Sequence, residues 1–351
     1  MILQDLKQAG LINPPNFLLN NTHYLTIMGS QAYGCNNQDS DFDIYGFCIP
    51  PKQMIFPHLA GEIMGFGTQK NRFENWNQAG MVHNNKEYDL TVFSIINFFN
   101  LCMQNNPNML DTLFTPSNLV VHSTAIGNKV KDNRHLFLHK GLYHRFKGYA
   151  YSQLAKFKGK RKNNKTFQEL VLFEENHNIP HKTTIEEVEE CLNNKIVVGP
   201  NIFNLTDDDL IKYYHLMLEL QKQSNRLLEV KAQAYDVKFV YHIIRLLNEC
   251  QQLLETGDLD LQRDSEIYKS IRRGEWTEEK IYKYFEDGEK QLQDLYNKSD
   301  LPYYPDEDKI KALLIECLEM HFGDLSSVVI TDDKYKLAME SIANICHKMN
   351  L

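Results

Sequence analysis

"IMGSQAYGCNNQDSDFDIYGF", residues 27 to 47, sets Gly29 and Ser30 ahead of two carboxylates, Asp41 and Asp43, that alternate with apolar residues. Such alternation belongs to a strand, where residues i and i+2 project from one face. Asp41 and Asp43 therefore point together, while Phe42 and Ile44 point towards a core. Two like charges so placed repel, and a buried carboxylate without a partner is costly. A divalent cation between them removes the repulsion and holds phosphates. Gly29-Ser30 ends the preceding apolar run, where a missing Cβ lets the backbone approach a phosphate and the hydroxyl can bond it. The ten residues between Ser30 and Asp41 suffice for a turn that sets the two pairs side by side. Asp89, in "EYDL", offers a third carboxylate from a neighbouring strand. An isolated Asp-x-Asp most often marks a solvated strand edge; it is the agreement of order, spacing and apolar flanks that points to a metal site.

Outward from this stretch, "THYLTIMG" (22–29), "DFDIYGFCI" (41–49) and "YDLTVFS" (88–94) read as strands. "IINFFNLCMQ" then takes a helical period, and "NNPNMLDTLF" restarts a short helix at Pro107 with Asn106 or Asn108 as cap. Beyond about residue 130 the pattern is helical, notably over 206–233, 236–256, 277–297 and 306–321. "KGKRKNNK" (158–165) has no apolar residue and reads as an exposed loop. The organisation expected is α+β: a catalytic domain over 1–130 with a small mixed sheet, then a mostly helical nucleotide- and acceptor-binding domain over 131–351. Residues 166–230 and 322–351 receive no role.

The chain has 351 residues, a net charge of −8 and seven cysteines without pairing or metal spacing, which suits a reducing, cytoplasmic setting. No apolar run approaches the roughly eighteen residues a membrane helix needs, so no membrane partner is expected. The acidic balance excludes a generally basic nucleic-acid coat. Its distribution is uneven, however. Between Asp132 and Glu169 there is no acid but ten lysines and arginines, among them Arg145, Lys156, Lys160, Arg161 and Lys162. These five are the residues expected to meet a polyanionic acceptor through its phosphates. The aromatics among them could stack bases, but at helical spacing they fit a core equally well.

"YDVKFVYHIIRLL" places Lys238, His242 and Arg245 at i, i+4 and i+7, on one helical face. Such a stripe suits triphosphate binding, because lysine is a compact charge and arginine can fork onto phosphate. The competing reading is salt bridging to nearby acids such as Glu249.

"GSQAYGCNNQDSDFD" resembles the signature of the DNA polymerase β-type nucleotidyltransferase superfamily. With Ala32, Tyr33, Gly34 and Ser40-Asp41 it resembles the branch of nucleotidyltransferases associated with RNA-repair operons and phages. "NPNMLDTLF", "FKGYAYSQLAKF", "YDVKFVYHIIRLLNECQQLLETGDLDL" and "IRRGEW" are similar to later blocks of that branch, in order. Asp111 departs from it, standing where a glutamate is expected. The resemblance implies transfer of a nucleoside monophosphate from an NTP, ATP first, to an acceptor hydroxyl, with an RNA or tRNA end as acceptor. It implies two Mg²⁺ or Mn²⁺ ions, both bound by Asp41 and Asp43 and the catalytic one also by Asp89, phosphates held by Gly29 and Ser30, and Ser40 beside the nucleotide. Nucleotidylation of a protein or small molecule, or a non-catalytic nucleotide- or RNA-binding module, are the alternatives; three converging acids argue against the module.

Overall fold

The computed structural model describes residues 2–37, 40–69, 72–163, 165–194, 205–223, 237–325 and 342; the side chains of 153–163 and 194 lie outside that description. The fold is α+β. The chain divides into two compact units, one of Met1–Leu138 with Tyr304–Leu351 and one of His139–Tyr303. The boundary expected near residue 130 falls inside a helix of the first unit, Ala125–Asp132.

The first unit is built on a five-stranded mixed sheet in the order β3-β4-β2-β1-β5. Its strands are β1 (Thr22–Ile27), β2 (Phe42–Cys48), β3 (Asn75–His83), β4 (Lys86–Ser94) and β5 (Val120–Ser123). Only β2 and β4 run parallel; the other pairs are antiparallel. Helices α1 (Ile2–Gln8) and α2 (Leu18–Asn21) precede β1, the single turn α3 (Gly29–Ala32) follows it, and α4 (Lys52–Ile55) follows β2. Helices α5 (Ile95–Met103), α6 (Pro107–Phe114) and α7 (Ala125–Asp132) come after β4.

Alternation along β2 distributes the core. Ile44 and Cys48 pack with Leu25, Leu90, Val92 and the α1 residues Leu3 and Leu6. On the other face Phe47 stacks on Tyr24 and meets Phe98 of α5. The sheet is thus covered on both sides, and Asp43 and Tyr45 share the second face with Phe47. Phe42 departs from the expected core placement: it is half-buried, beside Tyr88 and under the Lys86 ammonium at 4.7 Å. Helix α6 starts as its sequence requires, with the Asn106 side chain accepting from Asn108 N–H and Pro107 at the first helical position.

The second unit is helical: α8 (Gly141–Asn163), α9 (Lys165–His177), α10 (Ile185–Asn194), α11 (Asp207–Gln223), α12 (Val237–Thr256), α13 (Ser265–Arg272) and α14 (Glu278–Lys298). Helix α12 packs against α8, α13 and α14. Phe137, Tyr143 and Phe146 are buried, so these aromatics of the basic stretch serve the core. The loop expected over 158–165 is instead helical through Asn163, and α9 begins at Lys165. Lysine and arginine are good helix formers, and only Gly159 weakens that run. The remainder of the helix expected over 206–233 lies outside the described residues beyond Gln223. A further helix, α15 (Glu307–Phe322), belongs to the sheet unit and contacts α7 and α5. No helix among the described residues is long and apolar enough to cross a membrane.

Candidate active site

Parallel pairing of β2 with β4 sets Asp43 directly opposite Asp89. In register, their side chains leave the sheet on the same face as neighbours. Asp41 stands one residue before β2 and two before Asp43, so it joins them. One carboxylate oxygen from each of Asp41, Asp43 and Asp89 lies within 4.8 Å of the others, and all three residues are half-buried. Among the described residues neither Asp41 nor Asp89 pairs with a lysine or arginine. Three like charges gathered in this way destabilise one another unless a cation is shared.

Two backbone devices hold the set. Strand β3 is bulged between Gln78 and Met81, and Gly80 takes a φ of +71° there. The bulge turns the Gly80 N–H onto Asp89 Oδ1 at 2.7 Å, which fixes that carboxylate. The other device is Gly29. Its φ is +65°, and a Cβ on it would run into Asp43 Oδ2. Glycine is therefore required twice over, for conformation and for the close approach of the turn to the acid. Met28 N–H donates to the Asp43 carbonyl at 2.7 Å, completing the join between turn and strand.

Ser30 follows Gly29 in α3, and its Oγ is buried without a hydrogen-bonding partner. A buried hydroxyl left unpaired costs stability, a cost that a ligand oxygen there would remove. Tyr45 reports the local field: burial raises its phenol, and the charges of Asp43 and Asp89 raise it further. An all-oxygen donor set of this kind suits a hard divalent cation such as Mg²⁺ or Mn²⁺. The residues present fit such an ion.

The other expected site residues are placed as follows. Ser40 closes a turn, its Oγ donating to Asn37 Oδ1 at 2.7 Å and accepting from Asn37 N–H at 2.9 Å. On α12, Lys238 is exposed and His242 half-buried. Arg245 differs from the open stripe expected: it is 4 % exposed and forks onto both oxygens of Glu249, at 2.8 and 3.0 Å. The i, i+4 spacing was right for a face, but packing against neighbouring helices covers that face at residue 245. Arg145 is exposed on α8, while the side chains of Lys156, Lys160, Arg161 and Lys162 lie outside the described part. Asp111, the shorter stand-in for glutamate, is fully buried and accepts from the Tyr33 hydroxyl at 2.7 Å. The Gly80 anchor, Tyr45 and this buried link were not anticipated from the sequence. Gly80 carried the one usable signal, a glycine interrupting an otherwise strand-like run.

Comparison with known proteins gives the family. Residues 17–267 match the model of the RNA repair pathway DNA polymerase beta family (RlaP). An uncharacterized 38.9 kDa protein from the nrdC–mobD intergenic region of Enterobacteria phage T4 is 24 % identical over 293 residues, covering 74 % of this chain and 84 % of that protein. No solved structure gives a significant match. A polymerase β-like family supports nucleotidyl transfer at a coarse level, and nucleotidyltransferases of that superfamily generally use divalent metals. With the match spanning most of its length, this chain belongs to the RNA repair pathway DNA polymerase beta family.

Proposed function

We propose that this protein transfers a nucleoside monophosphate from an NTP, ATP first, to a hydroxyl at an RNA end. The observation that carries the reading is the convergence of Asp41, Asp43 and Asp89 beside a turn whose Ser30 hydroxyl is buried and unpartnered. In the reaction the acceptor oxygen bonds to the α-phosphorus and the bond to the bridging oxygen breaks. Pyrophosphate leaves with that electron pair, and the hydroxyl proton passes to solvent. Bound Mg²⁺ or Mn²⁺ would supply charge neutralisation and lower the pKa of the acceptor hydroxyl.

The chain's own part is positional. The three carboxylates hold the cation, with Asp89 oriented by the Gly80 amide. Ser30 donates to a phosphate oxygen, and Gly29 keeps the backbone close enough for that contact. The sheet unit is the catalytic part on this reading, and the helical unit binds nucleotide and acceptor. Lys238 and His242 are the residues of that unit assigned to the phosphates on this reading, whereas Arg245 is engaged by Glu249. Arg145, Lys156, Lys160, Arg161 and Lys162 meet the acceptor backbone, a contact that weakens with salt. RNA as acceptor is supported by the family's description and by this basic stretch.

The test is to incubate the protein with each labelled NTP, Mg²⁺ or Mn²⁺, and total RNA or cell lysate. Label in RNA is the expected outcome. Label in protein or small molecules would overturn the acceptor, and no transfer to any acceptor would overturn the reaction.

A further inference from the structure

The Gly29–Ala32 turn is gripped from below by one helix. Tyr33, the residue that ends the turn, donates its phenolic hydroxyl to Asp111 of α6 at 2.7 Å. Met28, the residue that opens it, has its Sδ 3.2 Å from the hydroxyl of Thr115, which ends α6. Thr115 Oγ1 also donates to the Asp111 carbonyl at 2.9 Å, and Lys131 of α7 donates to the Thr115 carbonyl at 2.7 Å. All four of Met28, Tyr33, Asp111 and Thr115 are buried, none more than 4 % exposed. The turn itself is closed by Tyr33 N–H on the Gly29 carbonyl at 3.2 Å and Cys35 N–H on the Ser30 carbonyl at 3.0 Å. The backbone that carries Ser30 is therefore tied to Tyr33, and through it to Asp111.

A buried carboxylate is an expensive way to anchor a tyrosine if stability alone is at stake, since an apolar pair of similar volume is commonly as good or better. What it provides is direction, because a short hydrogen bond to Asp111 fixes the phenol in one orientation. We infer that α6 brackets the phosphate-facing turn, with Asp111, through Tyr33, and Thr115, through Met28, as positioning residues for the Ser30 hydroxyl. The inference rests on the nucleotidyl-transfer reading and deepens it. It adds that triphosphate binding depends on α6 far more steeply than cation binding by the three acids does.

The full-length protein carrying Tyr33→Phe, which removes one oxygen, is compared with wild type. The readouts are calorimetric affinity for the NTP that wild type binds tightest, Mn²⁺ affinity without nucleotide by electron paramagnetic resonance, and KM and kcat of label transfer. NTP affinity should weaken about tenfold, the scale of one lost buried hydrogen bond. KM should rise by a similar factor, while kcat and Mn²⁺ affinity stay near wild type. Asp111→Asn keeps an acceptor oxygen for the phenol and should return most of the affinity that Asp111→Leu loses. Thr115→Val tests the other arm and carries the experiment if Tyr33→Phe does not fold; it should weaken NTP binding by a smaller factor. Wild-type NTP affinity and KM in both Tyr33→Phe and Thr115→Val would overturn the bracket, whatever happens to their melting temperatures. Joint loss of NTP and Mn²⁺ binding would overturn it as well. Wild type binding Mn²⁺ but no NTP is a different result, one that removes the nucleotidyl-transfer reading itself.

Discussion

Two groups of charge sit in the two units of this protein, and they are built on opposite principles. In the sheet unit, Asp41, Asp43 and Asp89 bring three negative oxygens within 4.8 Å of one another. In the helical unit, Arg245 and Glu249 are almost fully buried and neutralise each other across a single turn of α12. A pair of opposite charges joined within one helical turn is explained by the fold. A set of like charges held together by a strand register, a β-bulge and a glycine is not, because each device works against the repulsion. Convergence of like charge therefore points to a ligand, and mutual compensation points to architecture.

The comparison predicts a double dissociation, and the first pair of variants can break it. Asp41→Ala should lower kcat of label transfer by about 10²–10³-fold or more, as for loss of a principal transition-state stabiliser. Its melting temperature should stay level or rise, since repulsion is relieved. A variant that melts early would mean the acids are structural. Arg245→Met should do the reverse. Leaving Glu249 buried without its partner costs about 3–5 kcal/mol, readable by urea denaturation, and the double variant Arg245→Met/Glu249→Leu should regain most of it. Transfer by the folded double variant should stay near wild type. A large rise in its KM for NTP would return Arg245 to the nucleotide.

A smaller effect sharpens the sheet side of the comparison. Gly29→Ala places a methyl group against Asp43 Oδ2 in a left-handed backbone conformation. Transfer should fall about tenfold or more, with about 1–2 kcal/mol of lost stability from the unfavourable φ. Unchanged transfer would separate the turn from the acids.

A pH-dependent effect comes from a third arrangement, in which charge is avoided. His23 Nε2 lies 3.0 Å from His321 Nδ1 of α15, and His23 Nδ1 lies 2.9 Å from Thr124 Oγ1. Burial first, then the proximity of His321 and His122, pushes the His23 imidazole down to about 4. The unfolded chain takes up this proton near pH 6.5, and the folded protein does so only near pH 4. Stability is thus fully present above about 6.5 and is lost as pH falls towards 4. Melting measured across that window should fall less steeply in His23→Gln than in wild type, and equal slopes would remove His23 from the account.

How far the sequence could be read follows the same physics. Asp41 and Asp43 were legible because a strand's period places i and i+2 on one face, whatever surrounds it. The strands β1, β2 and β4 and the helices α12, α14 and α15 announced themselves through apolar periodicity. Strand β3 did not: it is an edge strand with mostly exposed residues, and its bulge at Gly80 breaks the alternation. The residue that orients Asp89 was hidden with it. Arg245 shows the limit from the other side. Spacing says which side chains share a face of α12, but not that α8, α13 and α14 cover most of its circumference. Asp111 was legible as a charge in the helix after Asn-Pro-Asn, while its phenolic partner, 78 positions away, is a product of tertiary packing alone.

The most direct test of the acid set is a Mn²⁺ titration followed by electron paramagnetic resonance, comparing wild type with Asp43→Asn, which keeps the side chain's size and removes its charge. Saturable binding in wild type that weakens about tenfold or more in Asp43→Asn is the predicted result. Equal affinity in the two proteins, or no binding in wild type, would contradict the claim that these three carboxylates are gathered to hold a divalent cation.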